Sequence, residues 1–177
     1  VYVEHEAGKG SGFDDERYRR AGGQIVYSTE ELYGRAQLIL GVSRPTDQEF
    51  DLLHEGHILC GFLHLAVAHP ARLETLLARK VTAVAYETIQ TADGRLPVLA
   101  AASQIAGRMI APIAGQLLQN NEGGHGILLG GVPGVPPARV VILGAGIVGV
   151  NAARMFTAMG ADVTLLDSDL GKLQALD

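Results

Sequence analysis

A hydrophobic strand followed at once by a glycine-rich turn is the feature that most constrains the fold of this 177-residue chain. The strand is predicted over Arg139–Leu143, and a helix is predicted over residues 151–159 after the turn. A second strand, predicted over residues 162–166, ends at Asp167. Three glycines in the turn keep GxGxxG spacing, namely Gly144, Gly146 and Gly149. Asp167 follows the first of them at about the 20-residue interval that is typical of a dinucleotide-binding βαβ unit.

Each of the three glycines meets one requirement of a turn that binds a dinucleotide. Gly144 permits the tight turn, Gly146 lets the backbone approach a pyrophosphate, and Gly149 lets the helix pack closely on the strand. The unpaired N–H groups at the N-terminus of the helix that follows offer a site for the phosphates, and Ile147 and Val148 in the turn are assigned to the cofactor with the glycines. A glycine-rich turn that binds nothing is the alternative, and the complete strand–turn–helix–strand–acid context favours the binding turn.

The residue Asp167 decides which dinucleotide we expect. Its carboxylate can accept hydrogen bonds from the hydroxyls of the adenosine ribose. Its negative charge would repel a 2′-phosphate at the same place, so NAD is expected as the cofactor in preference to NADP. The sequence therefore predicts the start of an NAD-binding Rossmann domain.

Upstream of this unit the chain alternates short β-rich runs with helical runs, which indicates an α/β fold with a parallel sheet. Strands are predicted over residues 1–4, 24–26, 37–41, 58–62 and 81–85. Helices are predicted over residues 14–21, 30–35, 47–53, 73–78 and 100–118. Pro112 should kink the last of these helices. The Gly/Pro-rich stretch 130–137 predicts a boundary between a parallel-sheet domain, 1–131, and the truncated first βαβ unit of a Rossmann domain, 132–177.

Composition and charge argue against several classes of function. The formal net charge of −5, with charges of both signs, gives no basic surface for nucleic acid or for an anionic membrane. The longest strongly apolar stretch, 140–150, is too short to span a bilayer, and the charged N-terminal residues do not form a signal peptide. The single cysteine, Cys60, cannot form a disulfide within the chain, which fits a reducing compartment and hence the cytoplasm, and it is expected to pack within its strand. His54, His57 and His69 lack metal-ligand spacing, so no metal site is predicted.

Five stretches, in one order along nearly the whole chain, resemble the alanine dehydrogenase and transhydrogenase alpha-subunit family. They are residues 62–66, 85–90, 103–108 and 130–135, and the glycine turn through Asp167. The first two resemble alanine dehydrogenases more than transhydrogenase subunits. Both ends look cut, because the chain begins in a strand without an initiator methionine and stops soon after the second Rossmann strand. We therefore expect a fragment that lacks both ends.

The resemblance implies NAD-dependent oxidative deamination of L-alanine to pyruvate and ammonium, in a homohexamer with a cleft between two domains. The family's catalytic histidine falls on His64, after the strand 58–62 and at the carboxyl edge where α/β sites form. An imidazole suits this role because it can both take up and release a proton near neutral pH. Ser103 and Lys172 match family positions near the cofactor. On sequence alone, Ser103 could instead cap a helix, and Lys172 could be a solvated surface lysine.

The sequence departs from the family where the substrate would bind. Alanine dehydrogenases carry Lys-Val-Lys-Glu-Pro where this chain has Gly-Val-Ser-Arg-Pro over residues 41–45, so the family's substrate-binding lysine falls on Ser43. A serine supplies a neutral donor in place of a cation, and losing the charge-assisted bond should cost about 1.5–3 kcal/mol in binding. Arg44 could replace the lysine only if the strand has ended there, because neighbouring strand residues point to opposite faces. The family's substrate-binding arginine lies in an N-terminal strand that this chain lacks.

Several interpretations therefore remain open from the sequence. The chain belongs to a working alanine dehydrogenase with an altered carboxylate clamp, or to a relative that acts on another 2-oxo acid or imine, as opine-type and saccharopine-type dehydrogenases do. A third interpretation is an NAD-binding subunit as in transhydrogenase, and a fourth is an inert remnant of a dehydrogenase. The isolated chain is not expected to catalyse, because the nicotinamide half of the cofactor site is absent from it.

Overall fold

The computed structural model describes residues 1–176 and divides into two compact units, residues 1–96 and the residues from Pro97 onward. Asp177, the last residue of the predicted second domain, lies outside the described residues. The named strands pair in parallel in a two-stranded sheet, a three-stranded sheet and a second two-stranded sheet. The predicted α/β class with parallel strands is confirmed.

The first unit holds two of these sheets. Its strands are β1 (Tyr2–Glu4), β2 (Gln24–Val26), β3 (Leu38–Ser43), β4 (Ile58–Phe62) and β5 (Thr82–Ala85). Its α-helices are α1 (Asp15–Arg20), α2 (Thr29–Arg35), α3 (Asp47–Leu52) and α4 (Pro70–Ala78). Short 3-10 helices cover Lys9–Ser11, Leu65–Val67 and Tyr86–Thr88. β1 pairs with β2, and the order β3-β4-β5 brings the carboxyl ends of three parallel strands to one edge.

Side-chain caps explain where the short helices of this unit begin. The Ser28 hydroxyl accepts the N–H of Glu31 at the start of α2. Thr46 and Glu49 form a reciprocal capping box at the start of α3, in which each side chain accepts the other's backbone N–H. Caps of this kind satisfy N–H groups that a helix leaves unpaired and contribute about 0.5–2 kcal/mol each. They allow helices of only six or seven residues to form between the strands.

The core of the first unit lies between α2, α3, α4 and the β3-β4-β5 sheet. Its buried hydrophobic residues are Tyr33, Ile39, Phe50, Leu53, Leu59, Leu63 and Leu76. Cys60 is buried within β4, as expected for a cysteine that packs in its strand. This core fixes β3 and β4, and therefore the positions of the loops that leave their carboxyl ends.

A buried histidine, His57, lies just before β4 and is 1% exposed. Its Nδ1 accepts the backbone N–H of His54 at 3.3 Å, so the proton resides on Nε2, which donates to the Tyr33 carbonyl at 3.1 Å. The neutral ring therefore satisfies both nitrogens. Burial lowers the pKa of His57 below the ordinary value of 6.5, and the charge of nearby His54 lowers this pKa further.

This environment predicts how the stability of the protein depends on pH. Because the unfolded chain binds this proton more readily than the native state, the free energy of unfolding should be highest above pH 6.5 and should fall as the pH drops below 6.5. Urea denaturation at about pH 7.5 and about pH 5.5 measures the change. His57→Gln removes the titrating group, so this variant should lose less stability over the same interval. An equal loss in both proteins would contradict the assignment.

The second unit contains the βαβ arrangement predicted from the glycine turn. Its elements are α5 (Pro97–Leu117), a 3-10 helix (Asn120–Glu122), β6 (Arg139–Leu143), α6 (Ile147–Ala158), β7 (Asp162–Leu166) and α7 (Leu170–Gln174). α5 begins three residues before the predicted start because Pro97 suits the first turn of a helix. The helix continues through Pro112 without interruption. α7 was not predicted, although Asp169 caps it by accepting the N–H of Gly171.

Close packing of α5 on α6 explains why the structure divides at Pro97, whereas the sequence placed the boundary after residue 131. A Cβ on Gly107 would lie 2.5 Å from the Val148 carbonyl oxygen and 2.8 Å from the Asn151 Cβ. The two helices therefore meet closely at a glycine, and Ala111, one turn later, is fully buried. The Gly/Pro-rich stretch 130–137 is a connection within the second unit, since α5 precedes it and β6 follows it.

Among the described residues, α5 is long and apolar enough to cross a membrane by length and composition, with a mean hydropathy of 1.3. At 21 residues, α5 is longer than the stretch 140–150, which the sequence indicated as the longest strongly apolar one. Such a helix is weak evidence for a membrane span, and the α5 face that carries Gly107 and Ala111 packs on α6.

Candidate functional site

The carboxyl edge of the β3-β4-β5 sheet brings three chemically useful side chains to neighbouring strand ends. Ser43 is the last residue of β3, His64 lies two residues beyond β4, and Glu87 lies two residues beyond β5. Loops at this edge of a parallel sheet are the usual place for an α/β site. The topology therefore places Ser43 and His64, two of the predicted site residues, at the carboxyl ends of adjacent strands.

The backbone of His64 is held by a neighbouring loop. Its N–H donates to Oε1 of Glu87 at 2.5 Å, and its φ of 48° lies in the left-handed region. The imidazole is exposed and stacks on the Phe62 ring, with 6.1 Å between ring centroids and 19° between ring planes. Sequence reasoning gave Glu87 no role at the site. A glutamate at the matching position after the next strand could have indicated it, because adjacent parallel strands end side by side.

Ser43, which is at the position of the family's lysine, and its neighbour Arg44 are both exposed. β3 ends at Ser43, after an irregularity in its register with β4 between Leu40 and Ser43. Arg44 therefore lies beyond the strand and is not bound by the alternation of strand side chains. The strand has thus ended before Arg44, which was the condition for its guanidinium to replace the family's lysine.

The glycine turn of the second unit has the geometry that its sequence requires. Gly144 has a φ of 103°, a conformation that favours glycine. A Cβ on Gly149 would overlap the Gly144 carbonyl oxygen, so only glycine lets α6 approach the turn. A Cβ on Gly146, by contrast, would meet no atom within 4 Å. Glycine is therefore favoured at the first position by backbone conformation and required at the third by close packing. The second position faces open space, where a ligand could approach the backbone.

Asp167 stabilises this turn from the end of β7. Its Oδ2 accepts the N–H of Ala145 at 2.6 Å, and its Oδ1 accepts the N–H of Asp169 at 2.8 Å. These two bonds, that from Asp169 first, hold the pKa of Asp167 below its ordinary value of 3.8, and Lys172 lowers this pKa further. The Lys172 Nζ lies 3.9 Å from Oδ1 of Asp167. Asp167 is therefore ionised at neutral pH.

An open cavity of about 350 Å³ lies where β6 and β7 end. Its lining residues are Leu143, Gly144, Leu166, Asp167 and Ser168. Each carboxylate oxygen of Asp167 has lone-pair capacity beyond its single backbone bond, so this side chain can still accept ribose hydroxyls. The first N–H groups of α6, from Ile147 and Val148 onward, have no acceptor within their own helix. The donors, the anion and the open glycine fit an adenosine diphosphate moiety of a dinucleotide.

Ser103 lies within α5 and not at its N-terminus, so the interpretation of this serine as a helix cap is wrong. It precedes Gly107 by one turn, and residues four apart share a helix face. That face of α5 packs against the start of α6 at Val148. Ser103 is therefore on the side of α5 that faces the beginning of α6.

A residue that the sequence did not single out, Asn151, connects the same two helices. It is 8% exposed, its Nδ2 donates to the Ile147 carbonyl at 2.8 Å, and its Oδ1 accepts from Nε of Arg108 at 3.3 Å. A buried asparagine with both ends of its amide bonded fixes the register of α5 against the first turn of α6. An asparagine on an otherwise apolar helix face is the signal that could have indicated it.

The fold and the site define an α/β protein with a Rossmann-type glycine turn and a histidine at the carboxyl edge of a separate parallel sheet. The family model described as the alanine dehydrogenase/PNT N-terminal domain matches residues 1–106, and the model of the alanine dehydrogenase/PNT C-terminal domain matches residues 111–177. The chain belongs to the alanine dehydrogenase/PNT family, as the sequence resemblance indicated. This family implies a nicotinamide dinucleotide cofactor.

Individual relatives agree with this assignment. Over its full length the chain is 49% identical to a protein named alanine dehydrogenase from Methanococcus maripaludis, and it covers 47% of that protein. A solved structure titled L-alanine dehydrogenase aligns with a TM-score of 0.87 at 40% identity, over 99% of this chain and 48% of that one. The structure of a transhydrogenase from Sinorhizobium meliloti aligns with a TM-score of 0.76 at 23% identity, over 99% of this chain and 51% of that one, which shows a shared fold. The chain spans about half the length of the relatives it matches.

Proposed function

We propose that the protein that carries this chain catalyses the NAD-dependent oxidative deamination of L-alanine to pyruvate and ammonium, and the reverse reductive amination. The observation that carries the proposal is His64, held at the carboxyl edge of the β3-β4-β5 sheet in a chain that is 49% identical to a protein named alanine dehydrogenase. In the forward direction, a ring nitrogen of His64 takes a proton from the water that attacks the oxidised substrate carbon. In the reverse direction, His64 returns that proton.

The cofactor in this proposal is NAD, which when bound supplies the acceptor for the substrate hydride. Gly144, Gly146 and Gly149 shape the turn, and the N–H groups of Ile147 and Val148 bind the pyrophosphate. Asp167 accepts the ribose hydroxyls, and its charge disfavours a 2′-phosphate. Ser103 contacts the cofactor from α5, and Lys172 lies near its adenosine end.

The direct test of the proposed activity is the oxidation of NADH with pyruvate and ammonium by the whole protein that carries this chain. A rate that requires both pyruvate and ammonium is the expected result. Turnover only with another 2-oxo acid or amine would move the protein to the alternative, a relative with a different substrate. Binding of NADH without turnover of any such substrate would favour the other alternative, a transhydrogenase-like NAD-binding subunit.

Ser43 gives a prediction about the substrate carboxylate. A lysine at this position would add a charge-assisted bond, so Ser43→Lys should lower the KM for pyruvate about tenfold or more. Steady-state kinetics at saturating NADH measure the change. Arg44→Ala is the companion variant, because Arg44 lies beyond the end of β3 and is exposed. Loss of affinity in Arg44→Ala, with no gain in Ser43→Lys, would contradict the interpretation that Ser43 weakens the carboxylate clamp, and would assign the carboxylate to Arg44.

We also propose that the whole protein is a cytoplasmic homohexamer, as the family resemblance implies. The buried and reduced Cys60 is compatible with a reducing compartment. Sedimentation of the whole protein measures the assembly, and a monomer at micromolar concentration would contradict this part of the proposal.

A further inference from the structure

His64 has a backbone conformation that residues with a side chain rarely adopt. Its φ is 48° and its ψ is 41°, in the left-handed region where the Cβ crowds the following carbonyl. Such residues persist where surrounding contacts hold them, and they are frequent at functional sites. The contacts that hold the His64 backbone therefore determine where its imidazole can lie.

The contact on the amide side of His64 comes from Glu87. Oε1 of Glu87 accepts the His64 N–H at 2.5 Å. Glu87 itself is fixed in the 3-10 helix Tyr86–Thr88, directly after β5. On the other side, the His64 carbonyl accepts the N–H of Val67. The peptide groups on both sides of the residue are thus bonded in the left-handed conformation.

The same 3-10 helix also supports the imidazole through a second side chain. The Tyr86 ring meets the Phe62 ring edge to face, with 5.6 Å between centroids and 87° between planes. Phe62 in turn stacks on His64. Tyr86 and Glu87 therefore act on His64 together, one through an aromatic ring and the other through the backbone.

Among residues 1–176, no cation pairs with the second oxygen of the Glu87 carboxylate. Oε2 is buried and has no hydrogen-bond partner within residues 1–176. A buried oxygen without a partner is unfavourable, and most side chains in protein interiors avoid it. Because Oε2 is buried, the exposed contact of this side chain with the site is the bond that Oε1 accepts from the His64 N–H.

We propose that Glu87 is a positioning residue for His64: its carboxylate fixes the left-handed backbone of His64 through the amide, and so aims the imidazole from the carboxyl edge of the sheet. The proposal rests on the proposed function, in which His64 is the acid and base of the reaction. What matters in this role is that the side chain of Glu87 is long enough to place an acceptor oxygen at the His64 N–H. The negative charge of the carboxylate matters less.

Two conservative variants separate the effect of side-chain length at residue 87 from the effect of its charge. Glu87→Gln keeps a carbonyl oxygen at the same distance from the backbone, whereas Glu87→Asp keeps the charge and withdraws the oxygen by one methylene. In the whole protein, Glu87→Asp should lower kcat about 10–100-fold with the KM for NADH unchanged, because a shift of about 1 Å in a catalytic group has effects of this size. Glu87→Gln should stay within about threefold of the wild type. Glu74→Asp, on the exposed surface of α4, is the control and should change neither constant.

A second measurement tests the bond without relying on activity. The His64 amide proton of the wild-type protein should resonate far downfield in NMR spectra and exchange slowly, because it is bonded to a carboxylate. This signature should be lost in Glu87→Asp. An unchanged amide in Glu87→Asp, an unchanged kcat in that variant, or an equal loss in both variants would overturn the proposal. His64→Ala separates the two proposals: an undiminished rate in His64→Ala would refute the role of His64 in the proposed function, and the amide measurement would still decide whether Glu87 holds residue 64.

Discussion

Replacing His64 by alanine should lower kcat for NADH oxidation with pyruvate and ammonium about 10²–10⁴-fold, the range that a positioned general acid and base contributes. The imidazole is exposed at the end of β4, so its loss leaves the buried core of the first unit intact. The KM for NADH should remain close to the wild-type value, because the residues that we assign to the cofactor lie in the second unit. The measurement is steady-state kinetics of the whole protein, with circular dichroism to verify the fold.

A second histidine of the chain supplies the control for this variant. His125 lies exposed in a glycine-rich loop of the second unit, so His125→Ala should leave both constants unchanged. A His64→Ala protein that retains the wild-type kcat would remove His64 from the mechanism. Loss of rate together with loss of the folded spectrum would instead show that the left-handed turn at residue 64 depends on the imidazole, and His64→Gln would then replace alanine in the test.

The sequence predicted those parts of the fold that depend on local pattern. β6, the glycine turn and β7 lie where the spacing of Gly144, Gly146 and Gly149 places them. The backbone at Gly144 and the packing at Gly149 admit few other residues, and Gly146 leaves room for a ligand. The strands around His64 could also be predicted, since short apolar runs between turn residues are characteristic of buried parallel strands. These features depend on residues that are close together in the sequence.

Contacts between residues that are far apart in the sequence could not be predicted from such local patterns. The extent of the second unit depends on Gly107, which could be recognised as a glycine in a helix but not as the point where α5 meets Val148. The Gly/Pro-rich stretch 130–137 has the composition of a domain boundary, yet the packing of α5 with α6 outweighs composition. Non-local packing of this kind leaves no periodic signal along the chain.

The site shows the same division. His64 and the glycine turn could be named from sequence, whereas the bond from the His64 N–H to Glu87 joins residues 23 positions apart and depends on which strands are neighbours. Once the order β3-β4-β5 is known, the two loops must meet at one edge. The left-handed conformation of His64 could not be predicted, because histidine adopts it only when such contacts compensate the strain.

Replacing Gly149 by alanine should destabilise the second unit and also abolish NADH binding. The added Cβ would overlap the Gly144 carbonyl oxygen, so α6 must move away from the turn or the turn must distort. Overpacking of a close backbone contact costs about 1–3 kcal/mol in the free energy of unfolding, and sometimes more. The displaced helix would no longer direct its first N–H groups at the pyrophosphate. Urea denaturation and fluorescence titration with NADH measure the two effects.

Gly146→Ala is the matched variant, because the two glycines differ in what surrounds them. Nothing lies within 4 Å of a Cβ at Gly146, and its φ of −75° suits any residue. Alanine caps a helix less well than glycine, so the free energy of unfolding should fall by about 1 kcal/mol or less. Binding of NADH should nevertheless weaken about tenfold or more, since the methyl group would occupy the path of the pyrophosphate. If Gly146→Ala bound NADH as tightly as the wild type while Gly149→Ala did not, the glycine turn would be a packing device only, and the cofactor would have to bind elsewhere.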